Sequence, residues 1–263
     1  MFNYYRRNYP LAILLAASLL LVSGCSIKSG PKEFVAVKQP AVREAPDAPE
    51  KLAAAFETTT RNGKKFYFSG WQVTKIQKRS ISLITNGSFD KEKGYILDAR
   101  IFGLPYRYYR WGNDVYISQS DKWRKAEQAA TPVEPFAEFS KLRFLTGKAV
   151  QLPDDAILSK KCNVYQIPLD YEDSVKAAQA MGLNLSDYKT AVTDQFMSQI
   201  KMTFTIWAGK SDNFIYQFQT AMNMPVPGAG SLYQEVKYKF WDYNSSTVNI
   251  PNPQKIQRYI VTE

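Results

Sequence analysis

The sequence contains no histidine. That absence excludes every Ser-His-Asp and Cys-His catalytic arrangement and every His-ligated metal site. Cysteine is nearly absent too: Cys25 and Cys162 are the only two, too few for a disulfide framework or a four-cysteine zinc site. No Gly-x-x-x-x-Gly-Lys loop is present to cradle a phosphate. Ser186-Asp187-Tyr188-Lys189 fits Ser-x-x-Lys, but the accompanying motifs of the enzymes that use it are missing. The adjacent carboxylates Asp154 and Asp155, and Glu172 and Asp173, lack the cross-cleft separation that glycoside hydrolysis requires. The expectation is a protein that is not an enzyme, with no catalytic residue, no metal site and no cofactor. Acidic residues are also short, 24 against 34 Lys and Arg, leaving a formal charge of +10 on 263 residues. Such a balance favours anionic surroundings. Apolar residues make up 45% and aromatics 14%, which excludes wholesale disorder.

Residues 1–10 carry Arg6 and Arg7 and no acid, and residues 11–22 form an unbroken run of apolar and small residues. The run is short of the roughly 20 residues a permanent membrane helix needs and suits the core of a secretory signal. Val22-Ser23-Gly24-Cys25 follows at once and resembles the bacterial lipobox, in which the cysteine receives diacylglycerol and becomes the new N-terminus. Residues 1–24 therefore read as a lipoprotein signal peptide and Cys25 as the lipid attachment site, with acyl chains, palmitate among them, holding the protein at a membrane outside the cytoplasm. Residues 25–47 mix charges with Pro31, Pro40 and Pro46 and read as a lipidated tether. Residues 48–263 read as one domain, large enough for a substantial core.

Pro49 near the start and Asn62-Gly63 at the end bracket a short helix containing Leu52, Ala55 and Phe56. Period-two patterns follow at Phe66 and Phe68, then Trp71 and Val73, with a change of phase at Ser69-Gly70 that predicts a β-bulge. Further strands are predicted around Ile81 and Leu83, 95–101, 106–110 and 115–118. Their links are too short for parallel crossovers, so the meander is antiparallel. Helices are predicted from Pro135 through Phe136, Phe139, Leu142 and Leu145 to Gly147, from 172 to 181, and from Ser186. Period two returns at Met202, Phe204 and Ile206, at 214–218 and at 232–240, with the first set facing inward together. The fold class is α+β: a curved antiparallel sheet wrapped around a few helices.

Three local patterns have two readings each. Tyr106-Arg107-Tyr108-Tyr109-Arg110-Trp111 has the composition of a single-strand nucleic-acid binder, but export makes that partner implausible. The other reading is a strand with rings on one face and arginines in water, available to anionic headgroups or wall polymers. Met222-Asn223-Met224-Pro225 through Gly230 is either a lid at a cavity mouth or a hairpin loop. Cys162, beside Lys160 and Lys161, is either a thiol activated by positive charge or a small buried hydrophobe.

The lipobox, the proline-bearing tether, the leading helix, the strand pattern Val115-Tyr116-Ile117 then Asp121-Lys122-Trp123, the helical insert and the closing Phe240-Trp241-Asp242-Tyr243-Asn244 and Val248-Asn249-Ile250-Pro251 together resemble the half-barrel lipoprotein superfamily. That superfamily includes the LolA/LolB-like lipoprotein carriers and the LppX/LprG-like lipid-binding lipoproteins. The resemblance implies no catalytic motif and an apolar cavity between sheet and helices. The implied function is to bind or carry a lipid or other apolar ligand, with Phe68, Leu83, Leu97, Phe136, Phe139 and Leu142 as the ligand-binding residues. Expected partners are the membrane, through acylated Cys25, the apolar ligand, and anionic headgroups or wall polymers. The other reading is a non-catalytic envelope module acting through protein or wall-polymer contacts.

Overall fold

The computed structural model describes residues 41–252 except 102, 120–121, 127–138, 171, 175, 177–198, 200 and 227–229. Cys25, the tether as far as residue 40, Phe136, Ser186 and Lys189 lie outside the described residues. So does most of the helix expected over 172–181, of which Glu172, Asp173, Ser174 and Lys176 are helical.

The chain enters through helix α1, Ala48–Asn62, with a proline in its first turn. Ala48, Leu52, Ala55, Phe56 and Thr59 form its buried stripe, the spacing of one helical face. Asp47 pairs with Lys51 at 2.6 Å and Glu57 with Arg61 at 3.0 Å on the wet side. Gly63 ends the helix, its N–H donating to the Thr59 carbonyl.

Six strands follow: β1 Lys65–Ile76, β2 Arg79–Asp90, β3 Gly94–Ile101, β4 Leu104–Trp111, β5 Asp114–Gln119 and β6 Lys122–Ala126. A 3₁₀ segment, Phe139–Lys148, stands where an α-helix was expected. The reason is in the spacing, because Phe136, Phe139, Leu142 and Leu145 recur every three residues, the 3₁₀ repeat. Five more strands are described: β7 Val150–Ile157, β8 Lys160–Leu169, β9 Lys201–Gly209, β10 Ile215–Val226 and β11 Gly230–Trp241.

All eleven strands form one curved, unclosed antiparallel sheet in the order β6-β5-β4-β3-β2-β1-β11-β10-β9-β8-β7. Two meanders, one on each side of the 3₁₀ segment, are joined where the first strand pairs with the last. That joint is long and continuous, running from Tyr67 opposite Trp241 to Ile76 opposite Leu232.

Alternation along each strand sorts the side chains onto two faces. The inner face carries Phe66, Phe68, Leu97, Phe204, Ile206 and Phe240, and packs against α1 and against Leu142 and Leu145 of the 3₁₀ segment. Phe204 and Ile206 are buried there and Met202 packs beside them, the inward register the sequence indicates. The outer face bears two smaller clusters. One gathers Leu152, Ile157, Cys162, Val164, Trp207 and Tyr216. The other gathers Tyr109, Tyr116 and Trp123 under Ile250 of the segment after β11, whose path is pinned by Tyr67 donating to the Thr247 carbonyl at 2.6 Å and Tyr109 to that of Pro251 at 2.5 Å.

Two expectations need correction. No bulge interrupts β1 at Ser69-Gly70, where the register against both β2 and β11 is unbroken. The inner face continues through Gly70, Gln72 and Thr74, so its alternation is hidden by a switch from apolar to polar residues. The rings of 106–111 do not share a face either: Tyr106 and Tyr108 stand on the inner side with Arg110, and Tyr109 and Trp111 on the outer side with Arg107. For 222–230 the hairpin reading holds: residues 222–226 end β10, with Val226 paired to Gly230 across the hairpin.

Candidate ligand-binding face

Two halves of the inner face differ in what covers them. Nearest α1, the helix side chains Leu52, Ala55 and Phe56 fill the space over Phe66, Phe68 and Phe240. Thr59 locks the helix in place, its Oγ1 accepting the Ile215 N–H at 2.9 Å in a buried bond at the one irregularity between β9 and β10. Such a filled region is an ordinary close-packed core.

Toward the far ends of β1 and β11 the face changes. Ile76 and Leu232 are buried, yet neither belongs to the three apolar clusters formed by described residues. Between them and the packed region lie Gln72, Thr74 and Gln234, all buried. Gln234 donates to the Thr74 hydroxyl at 3.2 Å. Nearby, burial pushes the Tyr238 phenol up to about 12; in the helix-packed cluster it does the same to Tyr95, whose hydroxyl has no hydrogen-bond partner. Both phenols are neutral at any physiological pH.

The sequence-derived ligand residues divide along this line. Phe68, Leu97 and Leu142 are buried in the helix-packed cluster. Leu83 is half-buried and sits opposite Gln72 in the β1–β2 register, on the polar-bearing part of the face. Phe139 begins the 3₁₀ segment, and its side chain lies outside the described residues, as does Phe136. Gln72, Thr74 and Gln234 were missed because polar residues in a period-two stretch read as solvent-facing. Their only sequence signal is the apparent phase change at Ser69-Gly70.

The remaining chemistry-bearing groups are structural. Cys162 is buried and free, and burial pushes its thiol up to about 11, opposite to an activated thiol. Asp154 is bonded by Lys210 at 2.6 Å and faces Arg43 at 3.4 Å; these cations hold its carboxyl below the usual range. Asp155 accepts the Trp207 indole N–H at 3.0 Å, and Asp173 pairs with Lys148. Among the described residues no cluster of His, Cys, Asp and Glu could hold a metal, and no helix is long and apolar enough to cross a membrane. Among the described residues, depressions indent the outer side. One of about 520 Å³ includes Ile84, Arg100 and the Asp98–Arg107 ion pair, and one of about 720 Å³ includes Lys160, Tyr216 and Trp241.

No known protein-family profile matches the chain, and no curated protein does. Solved structures do. LprF from Mycobacterium bovis is 11% identical with a TM-score of 0.49, the match covering 80% of this chain and 98% of that one. Lipoprotein LppX from Mycobacterium tuberculosis is 10% identical with a TM-score of 0.42, covering 77% and 99%. A LolA superfamily protein from Nitrosomonas europaea is 9% identical with a TM-score of 0.26, covering 77% and 97%. The described strands form an open, curved antiparallel sheet, a half-barrel.

Proposed function

We propose that this protein is an exported lipoprotein, anchored to a bacterial membrane through acylated Cys25, that binds or carries a lipid or another apolar ligand between the sheet and its helices. The observation that carries the reading is the division of the inner face. Among the described residues, α1 and the 3₁₀ segment pack against one part of the inner face, and the side chains at the far ends of β1 and β11 are buried without belonging to that cluster. In this reading Phe68, Leu97 and Leu142 form the wall where the packed core meets the ligand. Leu83, Phe136 and Phe139 contact the ligand itself. The basic charge of the chain supports a position near anionic headgroups or wall polymers.

The experiment is extraction of the chain beginning at residue 46, exported and purified without detergent, followed by mass spectrometry of the organic phase. An apolar molecule present in about equimolar amount supports the carrier. No such molecule, together with no gain in thermal stability from added fatty acids or phospholipids, would leave the envelope-module reading. The anchor is checked by fractionation of a Cys25→Ala chain, expected to lose the mass of the acyl groups.

A further inference from the structure

We infer that the outer face of the sheet is a second functional surface: its crest, built on Trp71 and Ile84 between Arg100 and Lys239, docks on the anionic membrane to which the protein is anchored. The inference rests on the anchoring part of the reading above and not on the ligand between sheet and helices.

Trp71 and Ile84 point outward, 38% and 46% exposed, and stand directly opposite one another in the β1–β2 register. Cross-strand partners have Cβ atoms about 5 Å apart, so the two form one apolar patch and not two scattered residues. The patch breaks a wet pattern. The neighbouring outward residues of β2 are Ser82 and Asn86, both exposed, as a solvated face requires. Strand β1 is the sixth of eleven in the sheet order, so on a curved sheet the patch lies at the crest of the convex side. A flat bilayer meets such a surface at its crest. The segment after β11 crosses the same face at Tyr67 and Tyr109 and leaves Trp71 and Ile84 in the open.

Charge selects the occupant. Lys237 stands beside Trp71 on β11, Arg100 beside Ile84 on β3, and Lys239 beside Ser69 in the next row. The nearby acids are engaged: Glu235 accepts from Tyr233 at 2.8 Å and faces Lys237 at 3.6 Å, and Asp98 pairs with Arg107 at 2.6 Å. Among the described residues neither Arg100 nor Lys239 has a carboxylate partner. Each lines a recess, Arg100 that of about 520 Å³ beside Ile84 and Lys239 that of about 720 Å³ beside Ser69. Lipid phosphates enter these recesses on either side of Trp71, while the indole takes the headgroup level that such rings prefer. A wall polymer supplies the anion but leaves Ile84 in water, together with Leu158, 53% exposed at the second recess. Of the two anionic partners, only a lipid surface also takes aliphatic side chains out of water.

The test inserts the full-length lipidated protein into preformed phosphatidylcholine vesicles with brominated acyl chains, with or without phosphatidylglycerol, and reads tryptophan quenching. The expected result is quenching that requires phosphatidylglycerol and is lost in Trp71→Phe and in Ile84→Asp, which keeps the reporter. Arg100→Gln with Lys239→Gln should weaken it about 25-fold, because each cation at an anionic surface contributes about fivefold. Ile84 and Arg100 are exposed, so their variants should melt with the wild type and carry the test even if Trp71→Phe fails to fold. The same fractional quenching in Trp71→Phe and Ile84→Asp as in the wild type overturns the placement of the face. Equal quenching with and without phosphatidylglycerol overturns the anionic assignment. No quenching in either vesicle, with Trp71-dependent retention on purified wall polymer, overturns docking on lipid. A chain that carries no acyl group overturns the anchor; that chain is then floated with the anionic vesicles, where binding weakened by Ile84→Asp upholds the face and no binding overturns it.

Discussion

Adding one methyl group at two different glycines should change stability in opposite directions. Gly70 lies on the inner face of β1, directly opposite Thr85 on β2 and Tyr238 on β11. A Cβ there would sit 2.3 Å from Thr85 Oγ1 and 2.5 Å from Tyr238 Cε1, when ordinary contact begins near 3.4 Å. Neither neighbour yields easily, because Thr85 is buried on a central strand and the Tyr238 ring stacks on Phe218 at 5.3 Å. Overpacking of this kind costs about 1–3 kcal/mol. Against it stands about 0.4–1 kcal/mol gained from the stiffer unfolded chain. Gly70→Ala should therefore lose about 1–2 kcal/mol, or about 2–8 °C of melting temperature for a domain of this size. Gly147, in the 3₁₀ segment, has nothing within 4 Å of its would-be Cβ and no positive φ. Gly147→Ala keeps only the chain-stiffening gain of about 0.4–1 kcal/mol and should melt higher. Urea unfolding followed by circular dichroism reads both. Gly70→Ala as stable as the wild type, or the two variants moving the same way, would refute the argument that the Tyr238 ring needs a bare backbone beneath it.

Two further outcomes test other parts of the structure. Cys162 is fully buried with its thiol pushed up to about 11, so a thiol reagent at about pH 8 should leave it unmodified in the native protein and label it on unfolding; fast native labelling would mean that the outer cluster around Trp207 opens readily. Asp154 is depressed in the folded state, so its stabilisation is fully present above the unfolded carboxylate value of about 4 and is lost as pH falls through the lower folded value. Its partners are partly exposed, which limits the gap between wild type and Asp154→Asn to about 1 kcal/mol at neutral pH. That gap should close in acid melts near pH 2, and a gap that persists there would show that the variant acts through packing instead of charge.

Element order was legible because its signals are local. Pro49 and Gly63 frame α1, and short links such as Gly112-Asn113 force antiparallel neighbours, so the half-barrel could be inferred before any register was known. Strand β7 was not legible. Pro153, Asp154 and Asp155 interrupt its pattern, which is tolerated because β7 is an edge strand whose pairing shifts between Leu152 and Asp155. The arrangement of the 106–111 rings was hidden for a different reason. Both faces of β4 are apolar there, one toward the inner cluster through Tyr108 and one toward Ile250, and only tertiary packing reveals the second.

The polar stretch of β1 shows how the same fact obscured the fold and exposed the candidate site. A strand buried on one face is specified by its alternation, and a one-residue slip would carry Phe66 and Phe68 to the wrong side. Replacing the next inner residues by Gly70, Gln72 and Thr74 weakens that specification just where β1 joins the two meanders. The register survives because Phe66, Phe68 and Phe240 anchor one end of the β1–β11 pair against α1, while Ile76 opposite Leu232 anchors the other. Stability is thus concentrated at the two ends of the joint, which leaves the middle free to carry residues chosen for something other than packing. That is the pattern expected of a binding surface built on a rigid sheet: the polar groups cost stability where they stand, and flanking apolar contacts on the same strands offset it.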